Sequence, residues 1–82
     1  MNLKELTETI ILKLVKNTEA VSVEENEEDN QIIINAYVSN EDMGRVIGKD
    51  GKIINSIRTI LQASSYMQNN ISVKLNVLEK KD

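Results

Sequence analysis

The stretch "GRVIGKDGK", residues 44–52, holds all three glycines of an 82-residue chain. Two of them, Gly48 and Gly51, enclose Lys49 and Asp50 in a G-x-x-G turn. Glycine keeps side chains away from the backbone, so a phosphate can approach the peptide N–H groups directly. A helix that begins at once after the turn adds free N–H groups and a dipole that favour an anion at the same place. The stretch therefore predicts an anion-binding turn.

Basic residues gather around this turn although the chain as a whole is acidic, with a net charge of −3. The segment 43–58 contains one acidic residue and four basic ones: Arg45, Lys49, Lys52 and Arg58. A local positive patch steers an anion toward itself whatever the total charge is. The acidic residue, Asp50, has two alternative roles. It repels a phosphate, or its carboxylate caps the next helix by accepting the N–H of Lys52 or Ile53.

Several other kinds of chemistry are excluded. The triphosphate-binding loop G-x-x-x-x-G-K-[ST] is absent, because Ile53 follows the Gly51-Lys52 pair. The chain has no cysteine and no histidine, which removes thiolate metal sites, the usual zinc ligand and the usual general base. The acidic run "EENEED" lacks the spacing of an EF-hand calcium loop. No carboxylate pair in an apolar pocket can be inferred, so we expect neither an enzyme nor a cofactor.

The length and composition predict one small domain over residues 1–82, with residues 79–82 as a polar tail. Hydrophobic residues make up 40% of the chain, which is sufficient for a compact core. The first ten residues carry acids and no long apolar run, so no secretory signal is expected. No stretch approaches the roughly 18 apolar residues of a membrane span. We therefore expect a cytoplasmic protein without a membrane partner.

The elements before the turn follow from the spacing of apolar residues. A helical repeat of apolar residues predicts an amphipathic helix over about residues 3–16, with a stripe formed by Leu3, Leu6, Ile10 and Leu14. Period-two alternation then predicts two strands joined as a hairpin. The run "EENEED" between the strands is interpreted as a solvated loop. In the second strand, the residues expected to face the core are Ile32, Ile34, Ala36 and Val38.

Around and after the turn, residues 39–48 predict a short helix that Ser39 or Asn40 caps and Gly48 ends. A longer helix is predicted over about residues 51–67. Its apolar face is predicted to contain Ile53, Ile54, Ile57, Ile60 and Leu61. Alternation from residue 71 predicts a closing strand. The order α-β-β-α-α-β predicts a two-layer α+β domain, a three-stranded sheet covered on one face by helices.

A G-x-x-G turn between two helices is a weak signal by itself. Here the stretch "VIGKDGKIINSIR" resembles the core motif of a KH domain, (V/I)-I-G-x-x-G-x-x-I-x-x-I. The motif is matched by Val46, Ile47, Gly48, Gly51, Ile54 and Ile57. The order of elements is that of a type II KH domain. Over nearly its whole length the chain resembles the small bacterial stand-alone KH proteins of the KhpA family.

This resemblance implies an RNA-binding module, since KH domains clamp about four nucleotides of a single strand with the G-x-x-G turn on its backbone. The backbone clamp would be Gly48, Lys49, Asp50 and Gly51. The bases would lie in an apolar groove opposite the hairpin, on a floor of Val46, Ile47 and Ile54. The phosphates would be flanked by Arg45, Lys52 and Arg58. Simpler alternatives remain open for some residues: Val46, Ile47 and Ile54 are partly core rather than purely groove, Gly44 allows close packing of a helix on a strand, and Arg58 is solvated. Ile57 is assigned to the core.

The resemblance also implies partners other than single-stranded RNA. It implies a homodimer, a heterodimer with a larger KhpB/Jag-type KH protein, or both. It further implies a post-transcriptional regulator or RNA chaperone linked to cell elongation and division. The alternative function is a protein-interaction subunit with little RNA binding of its own. Candidate contacts for it on the outer face of the sheet are Ile33, Tyr37 and Leu78.

Overall fold

The computed structural model describes residues 2–68 and 70–81. Met1, Asn69 and Asp82 lie outside the described residues. The predicted helix end "QNN" includes Asn69 and the predicted polar tail includes Asp82, so these parts of the two predictions also lie outside. The described residues form three α-helices: α1 (Leu3–Leu12), α2 (Met43–Ile47) and α3 (Lys52–Gln68). The same residues form three strands: β1 (Ser22–Glu28), β2 (Gln31–Val38) and β3 (Ser72–Glu79). The predicted order α-β-β-α-α-β is confirmed.

The strands form one mixed sheet with β2 in the centre. β1 and β2 are antiparallel and are joined by a two-residue turn, Asp29–Asn30, in which both residues have positive φ (47° and 62°). Asp and Asn tolerate this conformation, and such turns match the twist of a hairpin. β3 is parallel to β2, so the chain crosses over through α2 and α3 to reach it.

The hairpin is confirmed, but the interpretation of "EENEED" as a loop is wrong. Residues 24–28 belong to β1, where Glu28 pairs with Gln31 at the end of the ladder, and only Asp29 lies in the turn. Because two residues suffice to reverse the chain, the acidic residues remain hydrogen-bonded in the strand. Their side chains are exposed, so the run is solvated although it is not a loop.

The core lies between the sheet and the helices. All four predicted inward residues of β2 are buried, and α3 packs Ile54, Ile57 and Leu61 against them. Ile57 is 3% exposed, as a core residue should be. Ile53 and Ile60 were expected on the same face, but they are 36% and 49% exposed. They are seven residues apart, about two helical turns, and therefore share a different side of α3.

Two element boundaries differ from the prediction. α1 ends at Leu12 instead of near residue 16, and the N–H of Leu14 bonds the carbonyl of Ile11 in a closing turn. β3 continues to Glu79, one residue into the predicted tail. The N–H of the next residue, Lys80, bonds the carbonyl of Val38.

Within residues 2–68 and 70–81, no helix has both the length and the apolar composition to cross a bilayer.

Candidate nucleic-acid interface

The G-x-x-G turn lies between the end of α2 and the start of α3. Its backbone φ is +77° at Gly48, +57° at Asp50 and +74° at Gly51. At Gly48 the combination with ψ of 172° belongs to a region that only glycine adopts readily. A Cβ there would also lie 2.6 Å from Cγ1 of Ile53. Glycine at position 48 is therefore required by both conformation and space.

Two backbone donors of the turn lack an acceptor among the described residues. The N–H of Gly48 bonds the carbonyl of Gly44 at 2.9 Å, and the N–H of Gly51 bonds the carbonyl of Gly48 at 3.2 Å. The N–H groups of Lys49 and Asp50 have no acceptor among the described residues. The side chains of Lys49, Asp50 and Lys52 are all exposed. The turn thus combines free N–H groups with two exposed ammonium groups.

Asp50 does not cap α3. The N–H of Lys52 donates to the carbonyl of Lys49, and in the described part of the chain no hydrogen bond joins the Asp50 carboxylate to Lys52 or Ile53. The left-handed backbone of Asp50, which Asp adopts more readily than most residues, is part of the turn itself. Its carboxylate therefore remains a free negative charge beside the lysines.

The predicted groove floor is mostly core. Val46 is fully buried and Ile54 is 7% exposed, whereas Ile47 is half-buried. The strand against which α2 and α3 both pack is β3, at the edge of the sheet, and not the hairpin strand that was expected opposite the groove. The parallel crossover is the physical reason, since it brings the chain back beside β2 directly under these helices. Any groove next to the turn is bounded by β3.

Arg58 reaches this edge strand. Its Nε and Nη2 donate to the carbonyl of Leu75 at 3.4 and 3.1 Å, and Nη1 donates to Oδ1 of Asn55 at 3.0 Å. One turn further along α3, Gln62 donates to the carbonyl of Ile71 and accepts the N–H of Val73. The alternative of a merely solvated Arg58 is wrong: with Gln62 it covers the free edge of β3.

Arg45 is also held by acceptors of the protein. Its Nη1 donates to Oδ1 of Asp42 at 2.9 Å and to the carbonyl of Glu41 at 3.1 Å. The Arg45 side chain is 45% exposed, whereas the Asp42 side chain is fully buried. Part of the positive charge expected to face a phosphate is therefore balanced inside the protein.

Sequence reasoning missed the role of Asp42. The carboxylate accepts the N–H groups of Lys16 and Asn17 at 3.0 and 2.9 Å. It also accepts the hydroxyl of Ser39 at 3.0 Å, so Ser39 donates to Asp42 and does not cap the helix as predicted. These backbone hydrogen bonds, with Ser39 and Arg45 adding to them, lower the pKa of Asp42. No pattern along the chain indicates a contact across 26 residues.

Gly44 has no packing role. A Cβ built at this position meets nothing within 4 Å, so the alternative of close helix–strand packing is wrong. The surface over the start of α2, next to the turn, is open.

Asn55 is a further residue that sequence reasoning missed. Its side-chain amide nitrogen lies 3.6 Å from a Cβ built on Gly51, and its Oδ1 accepts the hydrogen bond from Arg58.

Comparisons with known proteins identify one family. Residues 4–77 match the family model described as "KhpA/KhpB, KH domain". The RNA-binding protein KhpA of Clostridium perfringens is 45% identical over 67 residues, which cover 82% of this chain and 89% of that protein. The RNA-binding protein KhpA of Chlamydia pneumoniae is 38% identical over 79 residues, or 96% of this chain and all of that protein.

A solved structure shows the same fold in a larger protein. It is Era in complex with MgGDPNP and nucleotides 1506–1542 of 16S ribosomal RNA, which this chain matches with a TM-score of 0.63 and 19% identity. The match covers 94% of this chain and 29% of the Era chain, so it concerns one part of Era. The family match and the curated relatives extend over most of the sequence, and the element order is that of a type II KH domain. This chain therefore belongs to the KhpA/KhpB family of KH-domain proteins.

Proposed function

We propose that this protein binds single-stranded RNA and places its G-x-x-G turn on the RNA backbone. The relatives named above are RNA-binding proteins, and KH modules clamp about four nucleotides in this way. The observation that carries the proposal is the turn Gly48–Gly51, whose free N–H groups at Lys49 and Asp50 point to no protein acceptor. Lys49 and Lys52 supply positive charge at the same place. Membership of a KH binding family also agrees with the expectation that the chain is not an enzyme.

The bases would lie between the helices and the edge of β3. Arg58 is about 10 Å along α3 from Gly51, at 1.5 Å per residue, and its guanidinium rests on the β3 carbonyl of Leu75. This position suits a base edge better than the phosphate held by the turn. Neither Tyr37 nor Tyr66, the two aromatic residues, belongs to the motif. Without stacking on rings, which contributes about 1–3 kcal/mol per base elsewhere, we expect modest affinity and loose sequence preference.

The test compares a single strand with a perfect duplex of the same sequence. Because an A-form duplex hides the base edges that a groove needs, the single strand should bind more tightly. Fluorescence anisotropy at fixed salt measures both affinities. Equal or tighter binding to the duplex would contradict the proposal. The roles that the family resemblance implies in RNA regulation and in cell elongation and division, and the pairing with a KhpB/Jag-type protein, stay predictions.

Self-association is a second candidate function, because α3 carries an exposed apolar stripe. The stripe consists of Ile53, Ile60 and Met67, seven residues apart, with Ser56 and Ala63 between them. Ile60 is 49% exposed and Met67 is 88% exposed. The 17 residues of α3 include only two charged ones, Lys52 and Arg58. Charge depletion and exposed apolar side chains are typical of the centre of a protein–protein interface.

The outer face of the sheet, where a contact surface was predicted, is less suitable. Tyr37 and Leu78 are neighbours in the register, but Ile33 is separated from them by a hydrogen-bonded pair, Asn35 and Asn76. Ile33 and Tyr37 are also half-buried. We therefore propose the α3 stripe as the surface through which two copies associate.

Two charge substitutions distinguish these surfaces. Ile60→Glu should convert a dimer to a monomer in light scattering, whereas Leu78→Glu should leave the mass unchanged. Both positions are exposed, so neither change should unfold the protein. Dissociation by Leu78→Glu alone would contradict the α3 surface and favour the sheet. A monomeric parent at all concentrations would contradict self-association altogether.

A further inference from the structure

The apolar stripe and the RNA-facing side of α3 lie on opposite sides of the helix. With 3.6 residues per turn, two positions along a helix turn a side chain by about 200°. Arg58 and Gln62 stand two positions before and after Ile60, and both reach the free edge of β3. Ile60 therefore points away from β3. A second copy that covers the stripe leaves the groove beside β3 uncovered.

The distribution of charge on α3 favours an antiparallel arrangement of two copies. Lys52 and Arg58 are the only charged residues of the helix, and both are in its N-terminal half. In a parallel pair each lysine would face its own counterpart, whereas in an antiparallel pair the two lysines lie at opposite ends. The stripe suits this arrangement, because it is centred on Ile60 with Ile53 and Met67 at equal spacing on either side. A two-fold axis through Ile60 thus places Ile60 against its own counterpart and Ile53 against Met67 of the second copy, without bringing like charges together.

We infer that a pair of copies joined through α3 holds two separate RNA segments, one on each outer side. The inference rests on the proposed RNA binding and self-association. Ile53 touches Gly48 of the turn. In the antiparallel pair, the two copies of Ile53 lie about 21 Å apart along the helix axis. The two grooves face away from each other. A segment of about four nucleotides in one groove therefore cannot reach the other groove. The pair is a bridge between RNA strands.

A capture assay tests the bridge. The assay uses two non-complementary single strands of RNA, each about eight nucleotides long, which is twice the length that one KH module clamps. One strand is fixed to beads and the other carries a fluorophore. The parent protein should retain the fluorescent strand on the beads. Ile60→Glu should abolish this retention but still bind each strand alone in anisotropy. Thr59→Glu is the matched control, since it introduces the same charge one residue away on an exposed side of α3 and should retain the strand.

The possible outcomes distinguish the bridging of two RNA strands from the proposed RNA binding and self-association on which it rests. Retention by the monomeric Ile60→Glu variant would overturn the inference. The inference would also be overturned if the parent protein dimerises and binds one strand in anisotropy but retains no second strand on the beads. The proposed RNA binding would not be contradicted by that result. If the parent binds no single strand in anisotropy, the proposed function and the inference fail together.

Discussion

The carboxylate of Asp42 and the guanidinium of Arg45 lie 2.9 Å apart, and the same carboxylate holds the N–H groups of Lys16 and Asn17. These contacts tie the start of α2 to the segment that follows α1. α2 has only five residues, and the G-x-x-G turn begins at its far end. The position of the turn therefore depends on a buried acid.

The stability of the protein should depend on the ionisation of Asp42. The N–H groups of Lys16 and Asn17 lower the pKa of this carboxyl in the folded state. A lowered pKa stabilises the fold above the unfolded value of about 3.9, and this stabilisation is lost as the pH falls through the folded pKa. Asp42→Asn should therefore unfold at lower urea concentration than the parent at pH 7, and the difference should narrow below about pH 4. A difference that is constant with pH would show that the charge is unimportant.

Lys49→Asp should reduce RNA binding sharply and leave the fold intact. The turn would then carry two adjacent carboxylates where one phosphate must lie. Lys49 is exposed, and surface changes of this kind usually alter stability by less than about 0.5 kcal/mol. Anisotropy with single-stranded RNA measures binding, and thermal melting measures the fold.

Ile57→Ala is the control for that variant. Ile57 is buried, so its truncation should cost roughly 2–5 kcal/mol of unfolding free energy and lower melting temperature and binding together. If Lys49→Asp binds RNA as the parent does, the turn is not the clamp. Self-association would then be the leading function.

Alanine at the two glycines that flank Arg45-Val46-Ile47 should act in opposite directions on stability. Gly48→Ala forces a side chain into a backbone region that costs about 1–3 kcal/mol, and its Cβ would meet Ile53 at 2.6 Å. Gly44→Ala adds a methyl group to open space in a helix and should stabilise by about 0.5–1 kcal/mol. Urea unfolding of both variants measures the difference. Equal stability of the two variants would contradict the geometry of the turn.

Asp50→Asn should tighten RNA binding. A unit charge 4 Å from a phosphate costs about 1 kcal/mol in water, so its removal should raise affinity by about fivefold. Asn tolerates the left-handed backbone at least as well as Asp, so the turn should keep its shape. Glu28→Gln removes the same charge at the far end of β1 and is the control. An equal gain from both variants would mean that only the net charge matters.

The salt dependence of binding should be shallow. Arg45 is partly balanced by Asp42, and Arg58 is held at β3, so about three phosphates at most are neutralised. For a single strand the slope of log K against log salt should then be roughly −2. Lys49→Ala should make this slope less steep by about 0.7, and a parent slope steeper than about −5 would reveal a larger basic surface than the turn provides.

The order of elements and the turn were predictable because both depend on neighbours along the chain. The period of apolar residues determines whether a segment is a helix or a strand. The spacing of Gly48 and Gly51 predicts a backbone conformation that most other residues do not readily adopt. The resemblance to KH domains rests on the same local spacing, so the family was predictable without the tertiary structure. Ile57 was assigned to the core for the same reason.

The tertiary structure alone decided which charges remain free and which strand packs against the helices on either side of the turn. The sequence presents Arg45 and Arg58 as equal members of a basic patch, yet each is held by an acceptor that chain order does not reveal, Asp42 in one case and the carbonyl of Leu75 in the other. It also suggests that Ile60 is a core residue, because a helical repeat identifies apolar positions but does not say which of two apolar sides meets the sheet. A hydrogen bond or a buried face is made between segments that are distant in sequence, so only the packing of helices on the sheet determines it.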